Sequence, residues 1–321
     1  MSSDQTVLDT FAADAVRDLR REPKQLQARY LYDALGSSLF DAICRLPWYR
    51  ITRAEATLLR RHAREIAAAL PALEAGAAVV ELGCGNGEKL SALLEGIPPA
   101  AAIDVHLIDI SPAALQATSA RISRFRNVRT TTHAATYQDG LRAVHPFVQH
   151  RPGTMALFLG SNIGNFDPPA AQALLRAVRA PLAEGALLLL GADLVKPEAD
   201  LLLAYDDPLG VTAAFNKNLL VRVNRELDAD FDVTEFDHRA VWNGPEQRVE
   251  MHLVSRRDQQ VRLAGADLSL RFAAGESIWT ESSYKYTPLD IFRLGTECGF
   301  SVTRQWIDDE AQFALTLLVA N

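Results

Sequence analysis

Between Val79 and Lys89 the chain reads VVELGCGNGEK: an apolar run ends in an acid, and three glycines follow at alternate positions. A glycine-rich turn at the end of a strand lets backbone N–H groups approach a ligand closely. The dinucleotide fingerprint needs G-x-G-x-x-G, and Gly83, Gly85 and Gly87 have a different spacing. Glu81 just before the loop and Glu88 just after it would repel a pyrophosphate. They suit a ligand with positive charge and no phosphate, and S-adenosylmethionine carries a sulfonium and an ammonium. Asp109 closes the next strand, HLID, where a carboxylate can accept from both ribose hydroxyls. That acid serves NAD and S-adenosylmethionine alike. The E-x-G-x-G-x-G spacing, its placement and two strands in the tail point to a class I methyltransferase. An NAD-dependent oxidoreductase and a non-catalytic S-adenosylmethionine sensor are the alternatives.

The surrounding elements can position such a loop. AAVVELG, AIDVHLIDIS, TMALFLG and GALLLLGADLV read as apolar strands, and EKLSALLEGI, PAALQATSARISRF and PPAAQALLRAVRAPL read as helices between them. Strands alternating with helices give a doubly wound parallel sheet, whose covered strands are continuously apolar. The rhythm breaks after Pro197. ADLLLAYDDPLGVTAAFNKNLLVRVNREL reads as helical, and RVEMHLVSR, QQVRLAG and LSLRFAAGE alternate like antiparallel strands. PLDIFRLGTECGF, SVTRQWI and FALTLLVA then resume the helix-and-strand pattern. The expected organisation is α/β: an N-terminal helical segment over 1–55, a Rossmann-like domain over 56–196 plus 287–321, and an inserted α+β domain over 197–286.

A chain of 321 residues with 48% hydrophobic content can bury a sizeable core. The opening MSSDQTVLDTFAADAVRDLRR has no apolar signal-peptide core, and no apolar run approaches the roughly 20 residues of a membrane span. A cytoplasmic protein is expected. The three cysteines are scattered, which fits a reducing compartment. No Cys or His cluster has zinc-ligand spacing, so no metal is expected. The net charge of −7 disfavours a nucleic-acid partner, and a monomer acting on a small molecule is the expectation.

Further motifs narrow the reading. FLGSNIGNF follows the strand TMALFLG, so its polar groups belong at the carboxyl edge of the sheet, where open α/β sheets bind ligands. Together with RYLYDALGSSLFDAICRLPWYRITRAEA, AYDDPLGVTAAFNKN and TESSYKY, it closely resembles the L-histidine Nα-methyltransferase family of ergothioneine biosynthesis. The resemblance runs over nearly the whole chain. It implies three successive methyl transfers from S-adenosylmethionine to the α-amine of histidine, giving hercynine, with mono- and dimethylhistidine as intermediates. It implies substrate contacts at Tyr49, Asn165, Tyr205, Glu281 and Ser283, with Tyr49 and Asn165 also at the reacting centre. It places Gly83, Lys89 and Asp109 at the cofactor, with Gly160 and Tyr32 nearby. At the adenine, where the family has an Asp and an aromatic, this chain has Thr136 and Tyr137, and Gln138 or Asp139 could supply the missing carboxylate's bond. LPWYRITR departs from the usual LPEYYPTR, so Trp48, Arg50 and Ile51 alter the surroundings of Tyr49. A methyltransferase for another amino acid or a histidine-like amine is the alternative within this class.

These residue types suit the reaction. Transfer from a sulfonium is an in-line displacement that needs alignment more than a side-chain nucleophile. The amine must lose its proton, to a tyrosine, a carboxylate or water. Asn165 and Tyr205 could donate to the substrate carboxylate, Glu281 and Ser283 could meet the imidazole, and tyrosine faces suit a quaternary ammonium. Taken singly, each has a plainer reading: Tyr49 and Tyr205 as packing, Asn165 as the N-cap of DPPAAQALL, and Lys89 as a surface residue. Trp279 and Met251 read as core of the inserted domain, though either could border the substrate pocket.

Overall fold

A computed structural model of the chain describes residues 3–71 and 73–321. Met1 and Ser2 of the expected N-terminal segment, and Ala72 of the expected α/β domain, lie outside the described residues. The chain divides into two compact units, Ile51–Val195 with Lys285–Asn321, and Met1–Arg50 with Lys196–Tyr284.

The α/β unit is built on seven strands: β1 (Ala77–Leu82), β2 (Ile103–Asp109), β3 (Val128–Ala134), β4 (Thr154–Phe158), β5 (Leu187–Asp193), β6 (Phe300–Asp308) and β7 (Phe313–Ala320). Their order is β6-β7-β5-β4-β1-β2-β3. The first five pair in parallel, while β7 runs antiparallel to both β5 and β6. The reversal follows from chain length: only Asp309–Gln312 separates β6 from β7, too short for a parallel crossover. β1, β4 and β5 are buried along their whole length, as strands covered on both faces must be. Helices Ile51–Ala68, Glu88–Leu94 and Pro112–Ile122 cover one face; Tyr137–Val148, Pro168–Arg179 and Pro288–Glu297 cover the other. Leu82, Phe158, Leu175, Leu188, Ile291 and Leu318 belong to the core under the second set. Strand β3 is unmarked by apolar pattern: it is a sheet edge, with Thr131 and Thr132 exposed and Thr130 partly buried. The order switches direction between β1 and β4, which puts the Gly83–Gly87 loop and the loop after Phe158 at the switch point, the usual ligand site of such sheets.

The second unit holds a mixed sheet of Lys24–Gln25, Ser277–Tyr284, Arg248–Ser255 and Phe236–Asn243, in that order, and a hairpin of Gln259–Leu263 with Leu268–Phe272. The long helical stretch expected after Pro197 is two helices, Glu198–Tyr205 and Val211–Leu227. Asp207 causes the break. Its buried carboxylate accepts the N–H groups of Leu209, Val211 and Thr212, so it starts the second helix instead of continuing the first. Helix Ala34–Ile43 packs on Val211–Leu227. Its N-cap, Asp33, accepts from Gly36 N–H, from Asn218 and from Arg225. Burial pulls that carboxyl up, but the bonds from Arg225, the Gly36 N–H and Asn218 outweigh it and hold Asp33 below its ordinary value.

Candidate active site

In the α/β unit the loop after β1 begins at Gly83, in the left-handed region at φ 75°. A Cβ there would stand 2.8 Å from the Tyr137 hydroxyl and 3.1 Å from Asn162 Nδ2, so only glycine lets the three segments meet. Tyr137 opens helix Tyr137–Val148 and sets its ring edge-on to Phe158 at 5.6 Å. Burial, and then the charge of Asp109, raise its phenol, which stays neutral against the loop. Thr136 is the N-cap of that helix, accepting from Asp139 N–H at 3.2 Å and donating to Asp139 Oδ2 at 2.8 Å. The Asp139 carboxylate also takes Arg142, so its oxygens already serve its own helical turn. Gln138 is exposed. Asp109 ends β2, and its Oδ1 accepts from Ser111 N–H at 2.8 Å. The adjacent Cys84 thiol is pushed up to about 12 by burial, which removes it as a nucleophile.

Lys89 is not a plain surface residue. Its ammonium lies 2.5 Å from Glu55, whose side chain is 0% exposed on helix Ile51–Ala68. Both oxygens of Glu55 also accept the Gly160 N–H, at 2.8 and 2.9 Å. Gly160 and Ser161 follow β4 in consecutive left-handed conformations, φ 81° and 58°, and Ser161 Oγ accepts from the Asp193 N–H at 2.9 Å. Asn165 is exposed in the 3-10 turn Asn162–Asn165. It is not the cap of the following helix: Asp167 is, accepting Ala170 N–H at 2.8 Å.

Glu81 corrects the electrostatic reading of the loop. It is 2% exposed, its Oε2 has no hydrogen-bond partner, and desolvation pushes its carboxyl up to about 8, with Lys89 pulling against that and Glu55 and Asp109 adding to it. At neutral pH without ligand it is mostly a neutral acid. The repulsion of a pyrophosphate rests on a charge that burial largely removes.

In the second unit, Tyr49 and Tyr205 are both buried, with ring centroids 6.2 Å apart and edge-on. Phe40 lies 6.2 Å from Tyr49 and 5.5 Å from Tyr32, extending the aromatic cluster to Tyr32 and Phe215. Tyr205 donates its O–H to Ser283 Oγ at 2.8 Å. Ser283 and Glu281 lie on strand Ser277–Tyr284, which pairs with Arg248–Ser255 through a bulge at Thr280. The bulge decides which side chains share a face. Trp279 pairs with His252, whereas Glu281 and Ser283 pair with Met251 and Val249 and take the face of those two buried residues. Met251 is thus core, but Trp279 is not. It stacks on His252 and under Arg248, on the side that also carries Glu250 and Tyr284.

The structure therefore joins Gly83 to Tyr137 and Lys89 to Gly160 in one unit, and Tyr49, Tyr205, Ser283 and the face of Glu281 in the other. Sequence reasoning missed three supporting residues. Glu55 sits in RITRAEA, where its helical register alone gives no sign of a buried acid. His238 donates from Nε2 to the Tyr205 carbonyl at 2.8 Å, and Asn216 Nδ2 reaches His238 Nδ1 at 2.9 Å. A carbonyl only accepts, so Nε2 carries the proton and Nδ1 receives the Asn216 bond. Burial lowers the His238 pKa and keeps it in that neutral form. Asn216 lies in the GVTAAFNKN block, the one available signal.

The residues fit S-adenosylmethionine. A loop that tolerates no Cβ at Gly83, an acid closing β2 and a cation beside Gly160 cluster at the sheet's switch point, and the strand order with its antiparallel β7 is that of a class I methyltransferase. The chain belongs to the family of histidine-specific, S-adenosylmethionine-dependent methyltransferases, whose profile matches residues 11–320. It is 41% identical to the histidine N-alpha-methyltransferase of Mycolicibacterium smegmatis, covering 96% of each chain. It is 40% identical to the protein of the same name in Mycobacterium tuberculosis, covering 95% of this chain and 93% of that one. It is also 27% identical to an L-tryptophan methyltransferase of Psilocybe serbica, over 93% of this chain and 89% of that one. The family assignment and the sheet displace the oxidoreductase reading. Among the described residues no group of three or more His, Cys, Asp or Glu is placed to hold a metal ion, and no helix is long and apolar enough to cross a membrane.

Proposed function

We propose that the protein trimethylates the α-amine of L-histidine to hercynine, using S-adenosylmethionine. When bound, that cosubstrate supplies an electrophilic methyl on a sulfonium. Gly83, Lys89, Asp109, Tyr137 and Gly160 hold it, with Asp109 taking the ribose hydroxyls. Thr136 spends its hydroxyl on its own helix turn, so the adenine amine relies on other acceptors. Tyr32 belongs to the aromatic cluster of Tyr49, which suits a role near substrate as well as cofactor.

The observation that carries the substrate assignment is the Tyr205–Ser283 bond beside Glu281 on one strand face. A neutral imidazole has one N–H and one bare nitrogen. Glu281 can accept from the first. Ser283, held beside it by the Tyr205 hydroxyl, brings a hydroxyl, a group able to donate to the second. This shifts Tyr205 from the substrate carboxylate, where the sequence reading put it, to the imidazole. Asn165, exposed on its loop, keeps amide N–H groups suited to a carboxylate. The ring faces of Tyr49 and Tyr205 suit an ammonium that loses its N–H donors with each methyl.

The tryptophan-methylating relative favours a second reading, another amino acid as substrate; an indole also has an N–H for Glu281, but no bare nitrogen for Ser283. Initial rates against a panel of free amino acids separate the two. Histidine is expected to lead by orders of magnitude, and comparable rates with tryptophan would overturn the assignment.

A further inference from the structure

Glu55 has no place in the reaction as described, yet it is a buried acid beside the loops at the carboxyl edge of the sheet. We propose that Glu55 is a positioning residue for the methyl donor: its carboxylate fixes the Lys89 ammonium and the Gly160 N–H together, and Gly191 is a glycine to make room for it. This rests on the assignment of Lys89 and Gly160 to the cofactor.

Three observations support it. The carboxylate makes one ion pair and two hydrogen bonds, all to segments that flank the switch point, Lys89 after β1 and Gly160 after β4. The fit is tight on both sides: a Cβ at Gly160 would stand 2.8 Å from Lys89 Nζ, and one at Gly191 on β5 only 2.0 Å from Glu55 Oε1. Glu55 is 0% exposed, while Lys89 keeps a quarter of its side chain open to solvent. The ammonium thus has donors left for a ligand after Glu55 has taken one.

A purely structural role explains this poorly. Buried ion pairs rarely stabilise a fold more than apolar residues of the same size, because desolvation offsets the attraction. What such a pair does well is hold one geometry. A free lysine loses much rotamer freedom on binding, and one already fixed by Glu55 loses less, which tightens binding through preorganisation. The nearby Glu81 sharpens the point: with Lys89 committed to Glu55, Glu81 keeps an unpartnered oxygen.

The test is cofactor titration by calorimetry with Glu55→Gln, Lys89→Met and the double variant, with histidine KM and kcat measured alongside at saturating cofactor. Glu55→Gln is expected to weaken S-adenosylmethionine binding by about tenfold or more. Histidine KM should stay within about twofold, and in the Lys89→Met background Glu55→Gln should change affinity by less than about twofold, the signature of coupled residues. Wild-type affinity in Glu55→Gln while Lys89→Met binds weakly would overturn the role of Glu55 alone, as would losses that simply add. Wild-type affinity in Lys89→Met would overturn the assignment of Lys89 itself. If Glu55→Gln does not fold, Gly191→Ala displaces the carboxylate without removing its charge. It should show the same loss, and unchanged cofactor affinity in it would overturn the proposal.

Discussion

Replacing Glu81 by Gln should change how the ligand-free protein's stability depends on pH. The native carboxyl is raised from an ordinary 4.5 to about 8 by burial. The native state therefore holds this proton over a range where the unfolded chain has lost it. Its contribution is fully present below 4.5 and is lost as pH rises through about 8. Each pH unit crossed inside that window costs about 1.4 kcal/mol. By about pH 7 the wild type has given up about 3 kcal/mol at this site, and beyond about pH 8 about 5 kcal/mol, both upper-end figures for a fully buried group. Glutamine never ionises and loses none of this. Urea unfolding of both proteins at about pH 5, 6, 7 and 8 reads the difference directly, because the titrations of distant groups cancel between them. The variant should gain on the wild type steadily with pH. Parallel profiles would show that Glu81 is ionised in the native protein throughout, and the account of the loop's electrostatics would fail.

Asp109→Ala should weaken S-adenosylmethionine binding by about 1.5–3 kcal/mol, the range for hydrogen bonds to a charged group; calorimetry giving wild-type affinity would remove Asp109 from the ribose. Glu281→Ala should raise the histidine KM by about tenfold to a hundredfold and narrow the preference over phenylalanine, while cofactor affinity barely moves; steady-state kinetics with both amino acids checks this. Tyr205→Phe removes the O–H that Ser283 accepts, so it should lower stability by about 1 kcal/mol and raise the histidine KM. A variant with intact KM would return Tyr205 to a packing role.

The sheet was legible because its buried strands are apolar along their length. GALLLLGADLV and FALTLLVA could hardly be anything else, and the breaks at Pro197 and near Tyr286 stand close to where the chain passes between the two units. Strand β3 was not legible, since an edge strand of threonines carries no apolar period. The stretch after Pro197 is helical as expected, but the break that makes it two helices was not legible, because it rests on a tertiary fact, the burial of the Asp207 carboxylate against the first N–H groups of the second helix. The site divided in the same way. Glycine spacing, a strand-end acid and family blocks marked Gly83, Asp109, Tyr205, Glu281 and Ser283. No local pattern announces that Glu55 will meet Lys89 and Gly160, more than thirty and a hundred residues away in the chain. Nor does any pattern announce the bulge at Thr280 that separates Trp279 from Glu281. Glu81 shows the opposite error: its place was read correctly and its charge was not, because desolvation depends on what the fold packs around it.

Mass spectrometry of L-histidine incubated with S-adenosylmethionine and the protein tests the central claim most directly. The account predicts that histidine passes through mono- and dimethylhistidine and accumulates with three methyl groups on its α-nitrogen. Histidine recovered unchanged, a product that stops permanently at one methyl, or methyl groups on the imidazole would contradict it.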